Sequence, residues 1–214
     1  MKINFLGDSI TAGAGASSES NRYVNLVGTL LGCDARNYGK GGTRIAKQRI
    51  PSECLDYDED FLVRSVTMDD DADWVFVFGG TNDYGHGDAE FGDVDGKDAY
   101  TFCGAVNSLI DALSARYGKE KLCFILPLHR YNEDNPYGEG NKAKAMGPLS
   151  AYVARLKEIL AKQQIETLAF EEEFSVPESN LGEDGLTVDG LHPNDVGHRI
   201  IAEKICGYIR AKNK

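Results

Sequence analysis

The segment Trp74–Phe78 constrains the fold of this chain most strongly, because every one of its residues is apolar. A parallel strand that is covered on both faces is apolar throughout, whereas a strand with one solvent-facing side alternates apolar and polar residues. Glycines and a short polar stretch follow the segment, as is typical where a strand ends. The segment therefore predicts a central strand of a parallel sheet.

The rest of the chain alternates further apolar segments with amphipathic helical patterns. Four more strands are predicted, at residues 3–6, 33–38, 122–126 and 165–170. Helices are predicted from a cap at Asn21 to Gly32, at 61–68, from Phe102 to Leu113, at 149–160 and from about Asp195 onward. This alternation predicts an α/β fold with a five-stranded parallel sheet and helices on both faces. The length fits a single domain that spans residues 1–214.

Small polar residues follow three of the predicted strands. Ser9 follows the first strand, Gly42 lies in the glycine-rich turn after the second, and Asn82 follows the central strand. Asp189 and His192 lie in the loop before the last helix. In open α/β sheets the ligand crevice lies at the carboxyl ends of the strands, where the strand order reverses. We therefore expect these five residues to meet in one site.

Ser9, His192 and Asp189 have the residue types of a hydrolytic triad. A serine hydroxyl is a weak nucleophile until a base takes its proton, and His192 is the expected base. Asp189 is expected to hold the imidazole in one tautomer, and Pro193 to open the last helix at its first turn. Asp8 is expected to shape the turn at Ser9 through backbone contacts. Taken alone, Ser9 also fits a plain turn residue and His192 a structural histidine.

The tetrahedral intermediate of such a reaction needs hydrogen-bond donors aimed at its oxyanion. The expected donors are the backbone N–H groups of Ser9 and Gly42 and the side-chain amide of Asn82. Glycine at position 42 lets the backbone approach a ligand closely. Gly41 stays as an alternative to Gly42, and Asn82 alone also fits a helix cap.

The order of these residues resembles that of the four blocks of the SGNH (GDSL-type) hydrolase family. The blocks are Gly7-Asp8-Ser9, Asn37-x-Gly39-x-x-Gly42, Gly80-Thr81-Asn82-Asp83 and Asp189-x-x-His192-Pro193. The resemblance implies a flavodoxin-like three-layer α/β/α fold, hydrolysis of carboxylic esters, and no cofactor. It also implies that Ser9, Gly42, Asn82 and His192 hold the nucleophile, oxyanion-binding and base roles described above.

The formal net charge of −11 argues against nucleic acids and anionic membranes as partners, because both need basic surfaces. No stretch approaches the ~20 apolar residues of a membrane span. Cys33, Cys103, Cys123 and Cys206 lie in apolar segments, so reduced core thiols are expected. A first strand from about Lys2 leaves no room for a signal peptide. These features predict a cytoplasmic chain and leave its oligomeric state open.

The long loops at 84–98 and 129–147 are rich in Gly, Asp, Asn and Tyr. Such loops predict a small-molecule ester substrate with a short acyl group, most simply acetyl, on a sugar or similar hydroxyl-rich alcohol. A long acyl chain needs a mostly apolar slot, and an interfacial lipase needs an exposed apolar patch. A lipase or acyl thioesterase with the same site stays as an alternative. A non-catalytic flavodoxin-like module that binds a mononucleotide is the second alternative.

Several polar residues have no assigned role in this scheme. Those whose contact with substrate stays open are His86, His129, Arg44 and Arg130. His198 is expected at the surface or as a helix cap. The acidic runs at 56–60 and 69–73 are expected to be solvated. The aspartates around Gly96 fail the spacing of a calcium loop, and no His/Cys cluster has zinc spacing, so no metal is expected.

Overall fold

The computed structural model describes residues 1–140, 142–182 and 185–213, and it contains a five-stranded parallel sheet. The strands are β1 (Lys2–Gly7), β2 (Asp34–Gly39), β3 (Trp74–Phe78), β4 (Leu122–Ile125) and β5 (Glu166–Leu168). They lie in the order β2-β1-β3-β4-β5, and all neighbours are parallel. This is the strand order of flavodoxin-like folds, so the predicted fold class is confirmed.

Helices connect the strands as the alternation predicts. They are α1 (Ser9–Ala12), α2 (Tyr23–Leu31), α3 (Phe61–Ser65), α4 (Thr81–His86), α5 (Phe102–Tyr117), α6 (Leu149–Lys162) and α7 (Asp195–Lys212). Short 3₁₀ turns cover Glu19–Asn21, Leu55–Asp58 and Lys119–Lys121. Each strand-to-strand connection includes a helix, because a parallel strand can be reached only by a crossover.

The sheet separates two hydrophobic cores and is the middle layer of three. Val75 and Val77 of β3 face a core that α3, α5 and α6 cover. Phe76 and Phe78 face the opposite core, which α2 and α7 cover. Each such side chain contributes ~1.5–3 kcal/mol by leaving water. The covered faces explain why β3 carries no polar residue.

The register places the ends of β1, β2 and β3 in one row. Gly7 at the end of β1 pairs with Gly39 of β2 on one side and with Phe78 of β3 on the other. The strand order reverses at β1, so the crevice typical of this fold opens there. Gly39 has no room for a side chain, because a Cβ atom would lie 2.2 Å from the backbone nitrogen of Ala12. The chain after β1 therefore passes directly against the end of β2.

Two predicted helix starts differ from the structure. Asn21 does not cap α2, because its side chain donates to Ser17 Oγ at 3.0 Å and to Asp195 Oδ2 at 2.8 Å. Pro193 does not open α7, because Asn194 follows it and caps the helix with its side-chain oxygen. Asn21 therefore binds side chains outside α2. Asn194, and not Pro193, is the capping residue directly before α7.

The predicted loop after β3 begins as a helix. α4 places Asn82 in its first turn and buries Tyr84. Thr, Asn and Asp are weak helix formers, but the side chains of Thr81, Asn82 and Asp83 all form hydrogen bonds with other parts of the chain. These tertiary contacts override the local preference for a loop.

The acidic run at 56–60 is only partly solvated. Asp60 is buried and caps α3 with its side chain, and Asp58 lies 2.6 Å from Arg44 Nη2. The aspartates of the run at 69–73 are exposed, as expected. Asp58 and Asp60 therefore make structural contacts, with Arg44 and with the start of α3.

The five cysteines are free thiols. Cys103, Cys123 and Cys206 are buried as predicted, Cys33 is partly buried and Cys54 is exposed. Among the helices of the described residues, none combines the length and the apolar character needed to cross a membrane.

Candidate active site

Ser9 is the first residue of α1 and follows β1 after a single residue. That residue, Asp8, caps the helix, and its Oδ1 accepts the backbone N–H of Ile10 at 3.0 Å. Gly13 ends the helix with a φ of 99°, so α1 is one turn long. This turn presents Ser9 at the carboxyl edge of the sheet.

The loop before α7 holds Asp189 and His192 in a tight turn. Asp189 Oδ1 accepts the backbone N–H groups of Leu191 at 3.0 Å and His192 at 2.8 Å. Gly190 has a φ of 74°, which glycine adopts without the steric cost of a side chain. The backbone N–H of Val188 donates to the carbonyl of His192 at 2.9 Å. The loop is therefore fixed by its own hydrogen bonds.

Ser9, His192 and Asp189 form a continuous line of contacts. Ser9 Oγ lies 2.9 Å from His192 Nε2, and His192 Nδ1 lies 2.7 Å from Asp189 Oδ2. An ionised carboxylate only accepts hydrogen bonds, so the proton of a neutral His192 resides on Nδ1 and Nε2 accepts from the hydroxyl. The structure thus brings together the three residues predicted for a triad, in the order that proton transfer needs.

Asp189 is held in its charged form. Its side chain is 47% exposed, and the partial burial works against ionisation. The hydrogen bonds from the backbone and ring N–H groups of His192 outweigh burial and lower the pKa of Asp189 below its usual value. A carboxylate in this position is able to stabilise a protonated imidazole, as the predicted role of Asp189 requires.

The predicted oxyanion donors line the same cleft as Ser9. Gly42 has a φ of 72°, a backbone conformation that favours glycine. Asn82 Nδ2 donates to the carbonyl of Thr43 at 2.9 Å, which fixes the amide beside the glycine turn. Gly41 lines the cleft as well, so the choice of Gly42 stays a prediction.

Asp83 supports the chain segment that follows Gly42. Its buried carboxylate accepts the backbone N–H groups of Ile45 at 3.0 Å and Ala46 at 2.9 Å. Burial raises the pKa of Asp83, although these hydrogen bonds oppose the rise. Asn82 and Asp83, adjacent on α4, therefore hold the segment 43–46 together.

The cleft has a volume of about 1630 Å³ and extends well beyond the triad. Arg44 and His86 line it, and Arg44 Nη1 lies 2.9 Å from His86 Nδ1. Arg44 Nη2 also donates to Asp58 at 2.6 Å and to Ser52 Oγ at 2.7 Å. The ring of Tyr57 lies beside that of His86, with centroids 6.1 Å apart. In the described part of the chain, no group of three or more His, Cys, Asp or Glu residues is arranged to hold a metal ion.

Two further candidates for substrate contact support a loop instead. His129 and Arg130 are not among the described residues that line the cleft. Arg130 is buried and donates to Thr81 Oγ1 at 3.2 Å and Glu139 Oε1 at 2.8 Å, while His129 Nδ1 lies 2.9 Å from Glu133. Arg130 thus joins the loop at the carboxyl end of β4 to α4.

The expectation that His198 lies at the surface is wrong, whereas its contact with the first residue of α2 fits the alternative of a capping residue. The residue is fully buried on α7. Its Nδ1 accepts the backbone N–H of Tyr23 at 3.3 Å, and its Nε2 donates to the carbonyl of Ala14 at 3.1 Å. Burial lowers the pKa of His198, in keeping with this neutral bridging role. His198 therefore ties the loop after α1 to α2 and α7.

Sequence reasoning missed two cations beside the site, Arg64, which is buried, and Lys142, which is partly buried and lines the cleft. Arg64 of α3 donates to Thr43 Oγ1 at 2.7 Å. Lys142 Nζ donates to the carbonyl of Asp83 at 2.7 Å and to Tyr152 Oη at 2.9 Å, and burial lowers the pKa of Lys142 to about 8. A helical pattern marks Arg64 only as one residue of a helix, and no motif surrounds Lys142, so neither gave a usable signal.

The model of the GDSL-like Lipase/Acylhydrolase family matches residues 5–200, and the chain belongs to this family. The predicted family is thereby confirmed, and the chain is a carboxylic ester hydrolase. A search of curated protein sequences found no match.

Solved structures with the same fold extend over nearly the whole chain. A protein from Lactobacillus plantarum is 28% identical, with a TM-score of 0.80 over 98% of this chain and 96% of that one. A lipase/acylhydrolase from Enterococcus faecalis is 21% identical, with a TM-score of 0.67 over 99% and 96%. A carbohydrate acetylesterase family member from Sinorhizobium meliloti is 16% identical, with a TM-score of 0.63 over 99% and 98%. The latter two likenesses show the fold alone.

Asp8 makes the stability of the fold depend on pH. Its Oδ2 is buried and has no hydrogen-bond partner within the described residues. Burial raises the pKa of Asp8 from 3.8 to about 6, against the opposing N–H of Ile10 and the charges of His192 and Arg64. Between about pH 4 and pH 6 the folded chain still binds a proton at Asp8, whereas the unfolded chain has released it. The free energy of unfolding therefore falls as the pH rises through this range.

We expect Asp8→Asn to gain stability relative to the wild type as the pH rises from about 4 to about 7, by up to about 3 kcal/mol, because it removes the buried charge. The free energy of unfolding in urea, measured across this range, checks the expectation. Asp195→Asn is the matched control of opposite sign, because hydrogen bonds from Ser17 lower the pKa of Asp195. A difference between Asp8→Asn and wild type that does not change with pH would contradict the assignment.

Proposed function

We propose that the chain hydrolyses short acyl esters, acetyl esters foremost, of small polar or carbohydrate alcohols. The observation that carries the proposal is the line of contacts from Ser9 Oγ to His192 Nε2, at 2.9 Å, and from His192 Nδ1 to Asp189 Oδ2, at 2.7 Å. Ser9 is the proposed nucleophile, His192 the general base and Asp189 the group that orients it.

In the proposed reaction, Ser9 Oγ attacks the ester carbonyl carbon while its proton passes to His192 Nε2. The tetrahedral intermediate collapses, and the alcohol leaves with the proton that His192 returns to it. Water then attacks the acyl-enzyme, with His192 again as the base, and releases the acid and free Ser9. No step needs a cofactor.

The proposed oxyanion site consists of the backbone N–H groups of Ser9 and Gly42 and the Nδ2 amide of Asn82. Such donors lower the barrier when they point to where negative charge develops and need little rearrangement. The contact of Asn82 with Thr43 supports this role, because it holds the amide in place before substrate binds.

The polar side chains in part of the cleft lining support a small polar substrate. Arg44, Gln48, Ser52 and Asp88 line it beyond the triad, and such residues suit hydroxyl groups better than an acyl chain. The structure named as a carbohydrate acetylesterase family member, from Sinorhizobium meliloti, has the same fold. The net charge of −11 supports the absence of nucleic acid as a partner, and the five free thiols support a cytoplasmic location.

A lipase or thioesterase activity is the second candidate, because one wall of the cleft carries exposed apolar groups. Ile50 and Pro51 line the cleft, and Ile50 is 68% exposed. Leu55, on the same segment, is 70% exposed. The sequences of the loops at 84–98 and 129–147, on which the prediction of a polar substrate rested, indicate no such apolar surface. These exposed apolar residues lie instead in the segment 44–60.

Ser9→Ala should abolish turnover of p-nitrophenyl acetate while the thermal unfolding temperature stays close to that of the wild type. The reason is that no other hydroxyl contacts His192 Nε2 in the described structure. A serine-directed phosphonate should label Ser9, as determined by peptide mass. Ser108→Ala, on α5 away from the cleft, is the control and should keep full activity. Turnover that survives in Ser9→Ala would rule out the acyl-enzyme.

Asn82→Ala should lower kcat by ~10²–10³ and change KM much less, because an oxyanion donor acts mainly in the transition state. Asn107→Ala is the matched control, because Asn107 is also a buried amide that donates to loop carbonyls, at 2.8 Å to Val94. It should lower the unfolding temperature and leave kcat nearly unchanged. A loss confined to KM would make Asn82 a ground-state binding residue.

The chain length of the acyl group separates the two candidates. We expect kcat/KM for p-nitrophenyl esters to be highest at acetate and to decline toward octanoate. An apolar acyl slot would instead raise kcat/KM about fourfold for each methylene, since each buried methylene is worth ~0.8 kcal/mol. A steady climb with length would favour the lipase or thioesterase and place the acyl chain along Ile50.

A further inference from the structure

The cleft is much larger than an acetyl group, and polar side chains form part of its lining beyond Ser9. Gly42, Asn82, Tyr57 and His86 all line the cleft, the rings of Tyr57 and His86 are neighbours, and His86 lies one helical turn after Asn82 on α4. The ring of Tyr57 packs on Gly42, since a Cβ atom at Gly42 would lie 2.3 Å from it. The part of a substrate that extends from the ester past Gly42 therefore contacts Tyr57 and His86.

The position of the proton on His86 follows from Arg44. A guanidinium group has only donors, so His86 Nδ1, 2.9 Å from Arg44 Nη1, must accept. The guanidinium of Arg44 is held in this orientation, because its Nη2 donates to Asp58, Ser52 Oγ and the carbonyl of Tyr57. The remaining proton of a neutral His86 is therefore on Nε2.

His86 Nε2–H is available to a ligand. It forms no hydrogen bond with residues 1–140, 142–182 or 185–213, although His86 lines the cleft. Burial and the charge of Arg44 lower the pKa of His86 to about 4, and the positive charges of Arg130 and Lys142 act in the same direction against Glu139. His86 is thus a neutral donor at neutral pH.

Tyr57 supplies a flat apolar surface next to this donor. Tyr57 is 41% exposed, and the centroid of its ring lies 6.1 Å from that of His86. A sugar ring presents an apolar face of C–H groups and, at its edge, hydroxyl oxygens that accept hydrogen bonds. An aromatic face beside a fixed N–H donor matches both features.

We propose that His86 and Tyr57 form the subsite for the alcohol part of the substrate and that this part is a polyhydroxylated ring. The ring packs on Tyr57, and one of its oxygens accepts from His86 Nε2–H. This inference rests on the proposed function, because it assumes that the short acyl group stays near Ser9 and that the alcohol extends along the cleft.

The test compares two acetates of equal ring size, a mono-O-acetylated methyl glucoside and cyclohexyl acetate, which has no hydroxyl groups. The readout is the ratio of their kcat/KM values in one enzyme preparation, which does not depend on the fraction of folded enzyme. His86→Asn keeps an acceptor for Arg44 but has no N–H at the position of Nε2. His86→Gln carries an amide N–H to about that depth.

We expect the ratio of sugar acetate to cyclohexyl acetate to fall about tenfold in His86→Asn, the loss of one neutral hydrogen bond, and to stay within about threefold in His86→Gln. His129→Asn, a histidine outside the cleft lining, is the control and should leave the ratio unchanged.

An unchanged ratio in His86→Asn would overturn the inference, as would equal falls in His86→Asn and His86→Gln. A wild-type enzyme that prefers cyclohexyl acetate would overturn it too. A wild-type enzyme that cleaves neither acetate, nor p-nitrophenyl acetate, would instead refute the proposed function.

Discussion

The site depends on one buried cation, the guanidinium of Arg64. It donates to the carbonyl of Gly7 at 2.9 Å, to the carbonyl of Tyr38 and to Thr43 Oγ1 at 2.7 Å. These groups belong to the end of β1, the end of β2 and the glycine turn. A buried guanidinium is costly unless its donors are satisfied, and each hydrogen bond to a charged group contributes about 1.5–3 kcal/mol. The need to satisfy Arg64 therefore fixes the distance between the strand end that carries Ser9 and the turn that carries Gly42.

The sheet, and the fact that the motif residues lie close together, could be predicted from the sequence. The reason is physical. Strands covered on both faces are apolar, as in Trp74–Phe78, and parallel strands end at one edge, so residues that follow them converge. The contact between Ser9 and His192 follows from this topology, because the last loop returns to the same edge. Local spacing also sufficed for Asp189 and His192, since both lie in one short turn.

Contacts between distant segments explain what the sequence did not reveal. The segment 44–60 has no periodic pattern, because its conformation is set by Arg44, Asp58 and Asp83 and not by an apolar face. His198 has the pattern of a surface residue on an amphipathic helix, yet two backbone groups of other segments require its ring nitrogens. A single hydrogen bond to a remote carbonyl or N–H leaves no periodicity in the sequence, so such residues are visible only in the fold.

Asn82 and Asp83 show why the proposed oxyanion site is better described as one unit than as separate donors. Asn82 binds the carbonyl of Thr43, while Asp83 binds the N–H groups of Ile45 and Ala46. Adjacent side chains on α4 thus hold both ends of the segment that begins immediately after Gly42. Any shift of α4 moves the amide of Asn82 and the backbone N–H of Gly42 together. The geometry of the two proposed donors is therefore coupled through the backbone, and the energetic effects of changing them should not add independently.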